Sequence, residues 1–250
     1  MKRAAFVIVI ALGIFLFYKS NYEAPILMYH HIDSPAEKSS TTVSTGTFER
    51  QMEFLKVHRY HVLTLEDLVG HYRLGQPVPW NTVVITFDDG YLDNFKNAFP
   101  VLKKMGFPAT IFMITSNIGK ENWLNEEDLR VLEASSITIG SHTANHAFFP
   151  DLKRDEIVSE LRESRNRLEK ILWHPVFLFS YPAGGVTKQS KAMVAKEGYR
   201  GAVTTNYGGE SNDLYALHRI KATEANGNLF NFWLKVSGIY HLGKKRIVIE

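Results

Sequence analysis

Short apolar runs alternate with longer amphipathic segments along most of the chain, and this alternation constrains the fold more than any other feature. Runs rich in β-branched and aromatic side chains predict strands at 26–29, 83–87, 110–114, 137–141, 176–180 and 201–204. Strands that are separated by helices form a mainly parallel sheet with the helices outside it. We therefore expect an α/β fold whose chemistry lies where strands end and loops begin.

The segments between these runs have the periodicity of amphipathic helices. Phe48, Met52 and Leu55 share one face, and residues 153–172 repeat apolar positions on one side among many charges. Shorter helices are predicted at 64–72, 93–105, 125–134, 189–197 and 229–236. Gly106 and Gly198 are expected to end the helices before them.

The composition is typical of one folded domain. Of 250 residues, 45% are hydrophobic, enough for a substantial core, and no linker or repeat divides residues 21–250. The 29 basic and 26 acidic residues are scattered, which argues against a nucleic-acid partner. With no cysteine, the chain has no disulfide, thiol catalyst or cysteine-bound zinc, so any metal must be held by His, Asp or Glu. We expect a monomer.

Residues 1–20 have the character of a membrane anchor. Two basic residues precede an uncharged apolar run at 4–18, and Lys19 follows it. No small-residue cleavage site follows the run, which favours a retained anchor over a removed signal peptide. The run spans about 22 Å, short of the roughly 30 Å hydrocarbon core, and the flanking basic side chains can extend its reach. Because positive charge stays on the cytoplasmic side, the rest of the chain would lie outside, or be secreted if the segment were cleaved.

Two adjacent carboxylates, Asp88 and Asp89, follow the predicted strand at 83–87. An Asp-Gly turn that merely ends a strand is the simpler explanation of this pair taken alone. Two acids after a buried strand can also point into a site, where one holds a metal and the other acts as a base.

Two imidazoles four residues apart, His142 and His146, follow the predicted strand at 137–141. On a helical turn this spacing places both rings on one side, although a structural or surface pair is the common alternative. Together with one aspartate they would offer nitrogen and oxygen ligands to Zn²⁺ or another divalent metal, which lowers the pKa of a bound water toward about 7.

Three further motifs lie at predicted strand ends or late in the chain, namely MYHH at 28–31, FSYPAGG at 179–185 and LHRI at 217–220. Each taken alone is more simply a turn or a structural histidine. The loop at 179–185 could aim a backbone N–H at an oxyanion, and either histidine motif could supply a general acid. It is the set of five motifs that favours an enzyme.

Four of these motifs, PILMYHHI, TFDDGY, SHTANH and FSYPAGG, together resemble the polysaccharide deacetylases of carbohydrate esterase family 4, the NodB-homology domain. The resemblance covers residues 24–222, and the MYHHI block is most similar to the branch that deacetylates poly-β-1,6-N-acetylglucosamine. It implies a distorted (β/α)7 barrel and a metal-dependent hydrolase that removes acetyl groups from a polysaccharide outside the cytoplasm.

The resemblance also implies roles for individual residues. Asp88 would be the catalytic base, and Asp89, His142 and His146 would hold a divalent metal, Zn²⁺ first, with Co²⁺ or Ni²⁺ as alternatives. Tyr181 would donate its backbone N–H to the oxyanion.

The general acid is either His30, which we favour, or His218. Phe179 and Ser180 stand where the family usually carries an arginine that orients the base, so this arginine has no sequence assignment. The family's fourth motif, which supplies a partner for the acid histidine, is also missing, and Asp213 could replace it.

A sugar chain needs a groove with aromatic side chains. The candidates are Tyr91, Trp123 and Pro182, with Trp80 and Tyr207 in other predicted loops. Ordinary packing explains the aromatic residues equally well.

Two other functions are compatible with these motifs. A glycoside hydrolase that used Asp88 and Asp89 would need carboxylates about 5 to 9.5 Å apart, which is difficult for neighbouring residues unless Glu210 served instead. A sugar-binding module that has lost its chemistry would account for the missing arginine. Within the resemblance, chitin and peptidoglycan are alternative substrates.

Overall fold

The computed structural model describes residues 10, 12–13, 16–19, 21–33, 40–205 and 213–243. The strands in this part of the chain are β1 Ile26–Tyr29, β2 His31–Ile32, β3 Thr42–Val43, β4 His61–Leu63, β5 Thr82–Phe87, β6 Ala109–Met113, β7 Ile137–Ser141, β8 Leu178–Ser180, β9 Gly201–Thr204, β10 Leu217–His218 and β11 Ile220–Lys221. The α-helices from residue 40 onward are α1 Thr45–Val57, α2 Leu65–Arg73, α3 Phe99–Met105, α4 Glu126–Glu133, α5 Arg154–Leu172, α6 Lys188–Lys196 and α7 Leu229–Val236.

Parallel strands form a nearly closed barrel with seven positions. Six positions are β1, β5, β6, β7, β8 and β9, each bonded to the next. The seventh is shared, because β10 pairs with β9 and β11 pairs with β1. Arg219 lies at the break between these two short strands. The predicted parallel α/β fold is confirmed, and the strand order is consistent with a (β/α)7 barrel.

The barrel strands are buried on both faces. All six residues of β5 are buried, as expected for a parallel strand that has the barrel interior on one side and helices on the other. Helix α5 buries Ile157, Leu161 and Leu168 and turns its charged residues outward. The carboxyl ends of the strands consequently form one rim, where the polar motifs gather.

Several elements differ from the sequence prediction in detail. The predicted helix at 93–105 is divided into a π-helical turn at Asn94–Ala98 and α3, next to Pro100, whose nitrogen cannot donate a helical hydrogen bond. Strand β8 covers only part of the predicted run at 176–180, and β4 and the β2–β3 pair were not predicted. Gly106 ends α3 with a φ of 71°, as predicted.

Among the described residues, no helix is long and apolar enough to cross a membrane. Much of the predicted anchor at 1–20 lies outside the described residues, as do Tyr207 and Glu210.

Candidate active site

Asp89, His142 and His146 form a cluster at the carboxyl ends of β5 and β7, and we call it the Asp-His-His cluster. Oδ1 of Asp89 lies 3.5 Å from Nε2 of His142 and 3.5 Å from Nε2 of His146. These separations are too long for hydrogen bonds. They match the edges of a tetrahedral site, in which ligands about 2.1 Å from one metal ion lie about 3.4 Å apart. One ligand atom from each residue lies within 4.8 Å of the others.

The backbone brings the two imidazoles together without a helix. His142 follows directly on β7, and the chain then turns, with left-handed φ angles of 65° at Thr143 and 58° at His146. The prediction that the pair lies on a helical turn is wrong, because these φ angles reverse the chain. The rings nevertheless meet, with centroids 4.9 Å apart.

Hydrogen bonding and burial prepare His142 as a ligand. Its Nδ1–H donates to the carbonyl oxygen of Ser180 at 2.8 Å, which leaves Nε2 to face Asp89 with a lone pair. Burial lowers the pKa of His142 to about 4, so the ring is neutral at ordinary pH. A neutral imidazole is the form that binds metals.

One oxygen of the Asp89 carboxylate lacks the partner that its burial requires within the described part of the chain. Oδ1 is buried and has no hydrogen-bond partner among the described residues. Burial raises the pKa of Asp89, as does the nearby Asp88 charge, while His30 and His146 oppose the shift. A divalent cation would satisfy this oxygen and neutralise the carboxylate. The residues present therefore fit a metal ion.

Asp88 is held by an arginine that the sequence analysis did not assign. Arg219 donates from Nη1 to Oδ1 of Asp88 at 2.7 Å and from Nη2 to Oδ2 at 2.5 Å, and both side chains are almost completely buried. Burial alone would raise the pKa of Asp88, but the Arg219 charge and hydrogen bonds hold it well below its usual range. Asp88 is consequently ionised at every ordinary pH.

Ser180 connects this ion pair to the Asp-His-His cluster. Its hydroxyl accepts from Nη2 of Arg219 at 2.9 Å and donates to Asp88 at 3.3 Å, while its carbonyl accepts from His142. The end of β8 thus positions the carboxylate and one imidazole together.

His30 faces the same site from the end of β1. Burial lowers its pKa, and the negative charges of Asp88 and Asp89 oppose that shift. Its carbonyl oxygen accepts from the Asn94 side chain at 2.7 Å, which fixes the backbone. An imidazole close to both carboxylates can donate or accept a proton in the site.

The sequence profile of the polysaccharide deacetylase family matches residues 75–202, a segment that contains both aspartates and both histidines of the site. The chain belongs to this family. It is accordingly a hydrolase that acts on amide bonds, and the expected family is confirmed.

The deacetylase is 35% identical over 214 residues to YxkH of Bacillus subtilis, whose name places it with the polysaccharide deacetylases; the match covers 84% of this chain and 76% of that protein. It is 27% identical over 250 residues to a poly-β-1,6-N-acetyl-D-glucosamine N-deacetylase of Staphylococcus aureus, covering 86% of this chain and 84% of that protein. Among solved structures, the Streptococcus pyogenes deacetylase PplD in complex with acetate matches with a TM-score of 0.78 and 28% identity, over 84% of this chain and 97% of that chain.

The structure places His218, the alternative acid, beside Glu23 rather than beside Asp88. Its neighbour Arg219, in the break between β10 and β11, reaches Asp88 instead. Nε2 of His218 lies 3.7 Å from Oε2 of Glu23, which is also 3.6 Å from Nδ1 of His241. We call this group the Glu-His-His cluster. Its three residues line a small cavity together with Lys235 and Gly238, at the end of α7.

The backbone N–H of Tyr181 is also unsuited to its predicted role. It donates to the carbonyl oxygen of Val203 at 3.1 Å as part of the β8–β9 pairing, so it cannot serve an oxyanion. Asp213, the predicted substitute for the fourth motif, forms an ion pair with Nζ of Lys191 at 2.5 Å. Pro182 is buried at the start of the loop that follows.

Aromatic rings form a wall beside Asp89. The Tyr91 ring stacks on His31 with centroids 3.6 Å apart and lies 4.6 Å from the ring of Trp123. Asp93 fixes His31 through a 2.6 Å contact to Nδ1. The Tyr91 hydroxyl hydrogen-bonds to Asp89, an interaction that lowers the pKa of that carboxyl. The structure therefore brings Tyr91 and Trp123 together at the site, and sequence reasoning missed His31 and Asp93.

Proposed function

We propose that this deacetylase removes N-acetyl groups from a polysaccharide of β-1,6-linked N-acetylglucosamine and releases acetate. The observation that supports this chemistry most strongly is the buried Asp-His-His cluster beside a carboxylate that Arg219 keeps ionised. The Staphylococcus aureus relative, which bears that substrate in its name, supports the choice of glycan.

Asp89, His142 and His146 would hold the divalent metal, and Zn²⁺ suits two imidazoles and one carboxylate. When bound, the metal would supply Lewis-acid polarisation of the acetyl carbonyl and would activate water. Ser180 and Tyr91 would fix the ligands from behind, through hydrogen bonds to His142 and Asp89 respectively.

Asp88 serves as the base in this proposal. Arg219 keeps it ionised and fixes its orientation, so the carboxylate is ready to accept a proton from the attacking water. His30 then donates a proton to the departing amine, because an amide nitrogen does not leave as an anion at neutral pH. Burial, which lowers the pKa of His30, makes its protonated form a stronger acid.

The oxyanion donor in this proposal is the backbone N–H of Ala183. It has no acceptor among the described residues, unlike the N–H of Tyr181. Ala183 is exposed and has a left-handed φ of 51°, a strained conformation for a residue with a side chain. Strain of this kind is common where a loop is shaped for function.

A glycoside hydrolase is less compatible with these contacts. That reaction needs one carboxylic acid with a raised pKa to protonate the leaving oxygen. The pKa of Asp88 is lowered by Arg219, so Asp89, whose pKa burial raises, would have to be that acid. Asp89 instead faces two imidazoles that such an enzyme would not need. The same contacts argue against a module that only binds sugar.

We further propose that residues 1–20 anchor the deacetylase in a membrane with residues 21–250 outside the cytoplasm. The sequence supports this proposal through basic residues followed by an uncharged apolar run at 4–18.

Acetate release from β-1,6-linked and β-1,4-linked N-acetylglucosamine oligomers tests the proposal. The full chain in detergent is assayed with Zn²⁺ or Co²⁺ and again with a chelator, beside Asp88→Asn as the inactive control. We expect chelator-sensitive release from the β-1,6 oligomers. Release of reducing ends would identify a glycosidase. Acetate release from the β-1,4 oligomers alone would indicate a chitin-like or peptidoglycan substrate.

A further inference from the structure

Helix α7 has an apolar face that is exposed on the surface of the domain. Its buried side consists of Phe232 and Val236. The large apolar side chains exposed on its outer side are Leu229, Phe230, Trp233 and Leu234. They occupy positions i, i+1, i+4 and i+5, which share one side of a helix. We call this surface the α7 face. Scattered exposed apolar residues are ordinary, but a contiguous set that includes Trp and Phe marks an interaction site.

The predicted N-terminal anchor reaches the domain at the end of this helix. The Tyr18 hydroxyl donates to the carbonyl oxygen of Ser237, the residue after α7. The backbone N–H of Glu23 donates to the carbonyl oxygen of Gly238 at 2.8 Å. A Cβ on Gly238 would lie 2.2 Å from the Tyr22 ring, so only glycine allows this close approach. The segment that follows the apolar run therefore contacts the residues directly after α7.

The residues next to the N-terminal run are of the types found at a membrane interface. Trp80 stacks on Tyr18 and Tyr22, with ring centroids 5.1 and 5.6 Å apart, and Trp and Tyr rings are enriched at headgroup depth. Lys19 is at one side of this aromatic group. Three further basic residues, Lys244, Lys245 and Arg246, follow the last described helical turn in the sequence. Such a basic segment would be attracted to anionic lipid headgroups.

We propose that the α7 face docks on the surface of an anionic phospholipid bilayer, next to the anchor. This inference rests on the anchor proposed above. With two attachments, the anchor and the α7 face, the barrel keeps one orientation to the membrane and does not swing on the Tyr18–Tyr22 segment. The active site is then presented to the polysaccharide in a fixed direction.

A second copy of the chain is a less suitable occupant. The helix is about 12 Å long, and four side chains on it cover far less than the roughly 800 Å² per partner of a stable dimer. A bilayer needs no complementary shape, and the anchor would hold the face close to it. A dimer is an outcome that the experiment below detects.

The absence of cysteine from the chain permits a clean test. Single cysteines are introduced in the full chain at Phe230 in the α7 face, at Leu12 in the N-terminal run and at Trp173, whose side chain is 80% exposed elsewhere. Each carries an environment-sensitive fluorophore, and each protein is reconstituted into vesicles of phosphatidylcholine and phosphatidylglycerol. Circular dichroism and urea unfolding check that each labelled protein is folded, and acetate release from a soluble oligomer is measured separately.

The proposal expects a blue shift and quenching by a lipid-borne quencher at positions 12 and 230, with neither at position 173. If position 12 is quenched and position 230 is not, the anchor stands and docking of the α7 face is wrong. If neither is quenched, the anchor and the docking both fail, while acetate release still reports on the proposed reaction. A blue shift at 230 without lipid quenching identifies a contact between protein copies and overturns the proposal.

Discussion

Two clusters in the deacetylase place a carboxylate between two imidazoles, and they differ in what surrounds them. In the Asp-His-His cluster the carboxylate oxygen lies 3.5 Å from each ring nitrogen, and in the Glu-His-His cluster the distances are 3.7 and 3.6 Å. Within the described part of the chain, only the first cluster brings three ligand atoms within 4.8 Å of one another. Similar pairwise distances therefore do not make similar sites.

The difference lies in the polar groups behind the ligands. In the Asp-His-His cluster, Ser180 fixes the orientation of one imidazole, and a buried carboxylate oxygen has no hydrogen-bond partner among the residues that the structure describes. A second carboxylate, Asp88, stands beside it with its own arginine. The Glu-His-His cluster joins the segment before β1 to the segment after α7, which suits a contact that ties the two ends of the domain together. Support behind the ligands distinguishes a candidate metal site from a structural one.

Replacing Asp88, the proposed base beside the Asp-His-His cluster, should reduce activity more than any other change considered below. Asp88→Asn should lower kcat by about 10² to 10⁴-fold, because the general base is lost. Metal binding should persist, since the ligands are untouched and asparagine still accepts a hydrogen bond from Arg219. Acetate release and metal content of the same preparation check both points. A variant that retains the normal rate would show that Asp88 is not the base.

Matched histidine variants of the two clusters separate their roles. His142→Ala should lower metal affinity by more than the roughly 10 to 100-fold that loss of a supporting partner costs, and acetate release should fall with it. His218→Ala should leave metal affinity and kcat unchanged. Isothermal titration with Zn²⁺ and acetate assays compare them. Equal losses from both variants would mean that the Glu-His-His cluster also serves the reaction.

Breaking the buried Arg219–Asp88 pair should lower stability more than breaking an exposed ion pair would. Arg219→Met leaves a buried charge without its partner and should lower the free energy of unfolding by about 3 to 5 kcal/mol at neutral pH. Urea unfolding measures the change. The double variant with Asp88→Asn should lose less than the sum of the two single variants, because the two residues interact.

The pH dependence of the difference in unfolding free energy between wild type and Arg219→Met provides a second check. The pKa of Asp88 is lower in the folded protein, so its ionisation contributes stability that is present above the unfolded carboxyl pKa of about 3.9 and is lost as the pH falls through the folded value. The gap between wild type and Arg219→Met should therefore narrow in acid. A gap that stays constant down to pH 3 would contradict the proposed ion pair.

The smallest effect is expected at the aromatic wall. Tyr91→Phe keeps the stack with His31 and Trp123 but removes the hydroxyl that hydrogen-bonds to Asp89. Metal affinity should fall about 10-fold, with KM nearly unchanged at saturating metal. Titration with Zn²⁺ and steady-state kinetics separate the two quantities. A rise in KM alone would assign the hydroxyl to substrate binding.

Local sequence patterns could predict the part of the site that follows each strand. The apolar run of β5 and the aspartates after it lie within a few residues, as do β7 and His142, and the structure confirms that these segments meet. The same patterns could not predict the left-handed turn at His146, because backbone φ angles of that kind leave little trace in residue type.

Contacts between segments that are far apart in the chain could not be predicted from the sequence. Arg219 reaches Asp88 across 131 positions, from a break between two strands of two residues each, too short to show any periodicity. The hydrogen bond from the Tyr181 N–H to the carbonyl oxygen of Val203 likewise depends on which strands pair. Closure of the barrel brings these residues together, and it becomes visible only in three dimensions.

Metal stoichiometry measured together with acetate release tests whether the Asp-His-His cluster holds the metal on which the reaction depends. The purified chain is stripped with a chelator and titrated with Zn²⁺ while bound metal and the rate of acetate release are recorded. We expect one ion per chain and a rate that rises in proportion to it, with both lost in His142→Ala and both kept in His218→Ala. Acetate release that continues at full rate without metal, or bound metal that depends on His218, would contradict this expectation.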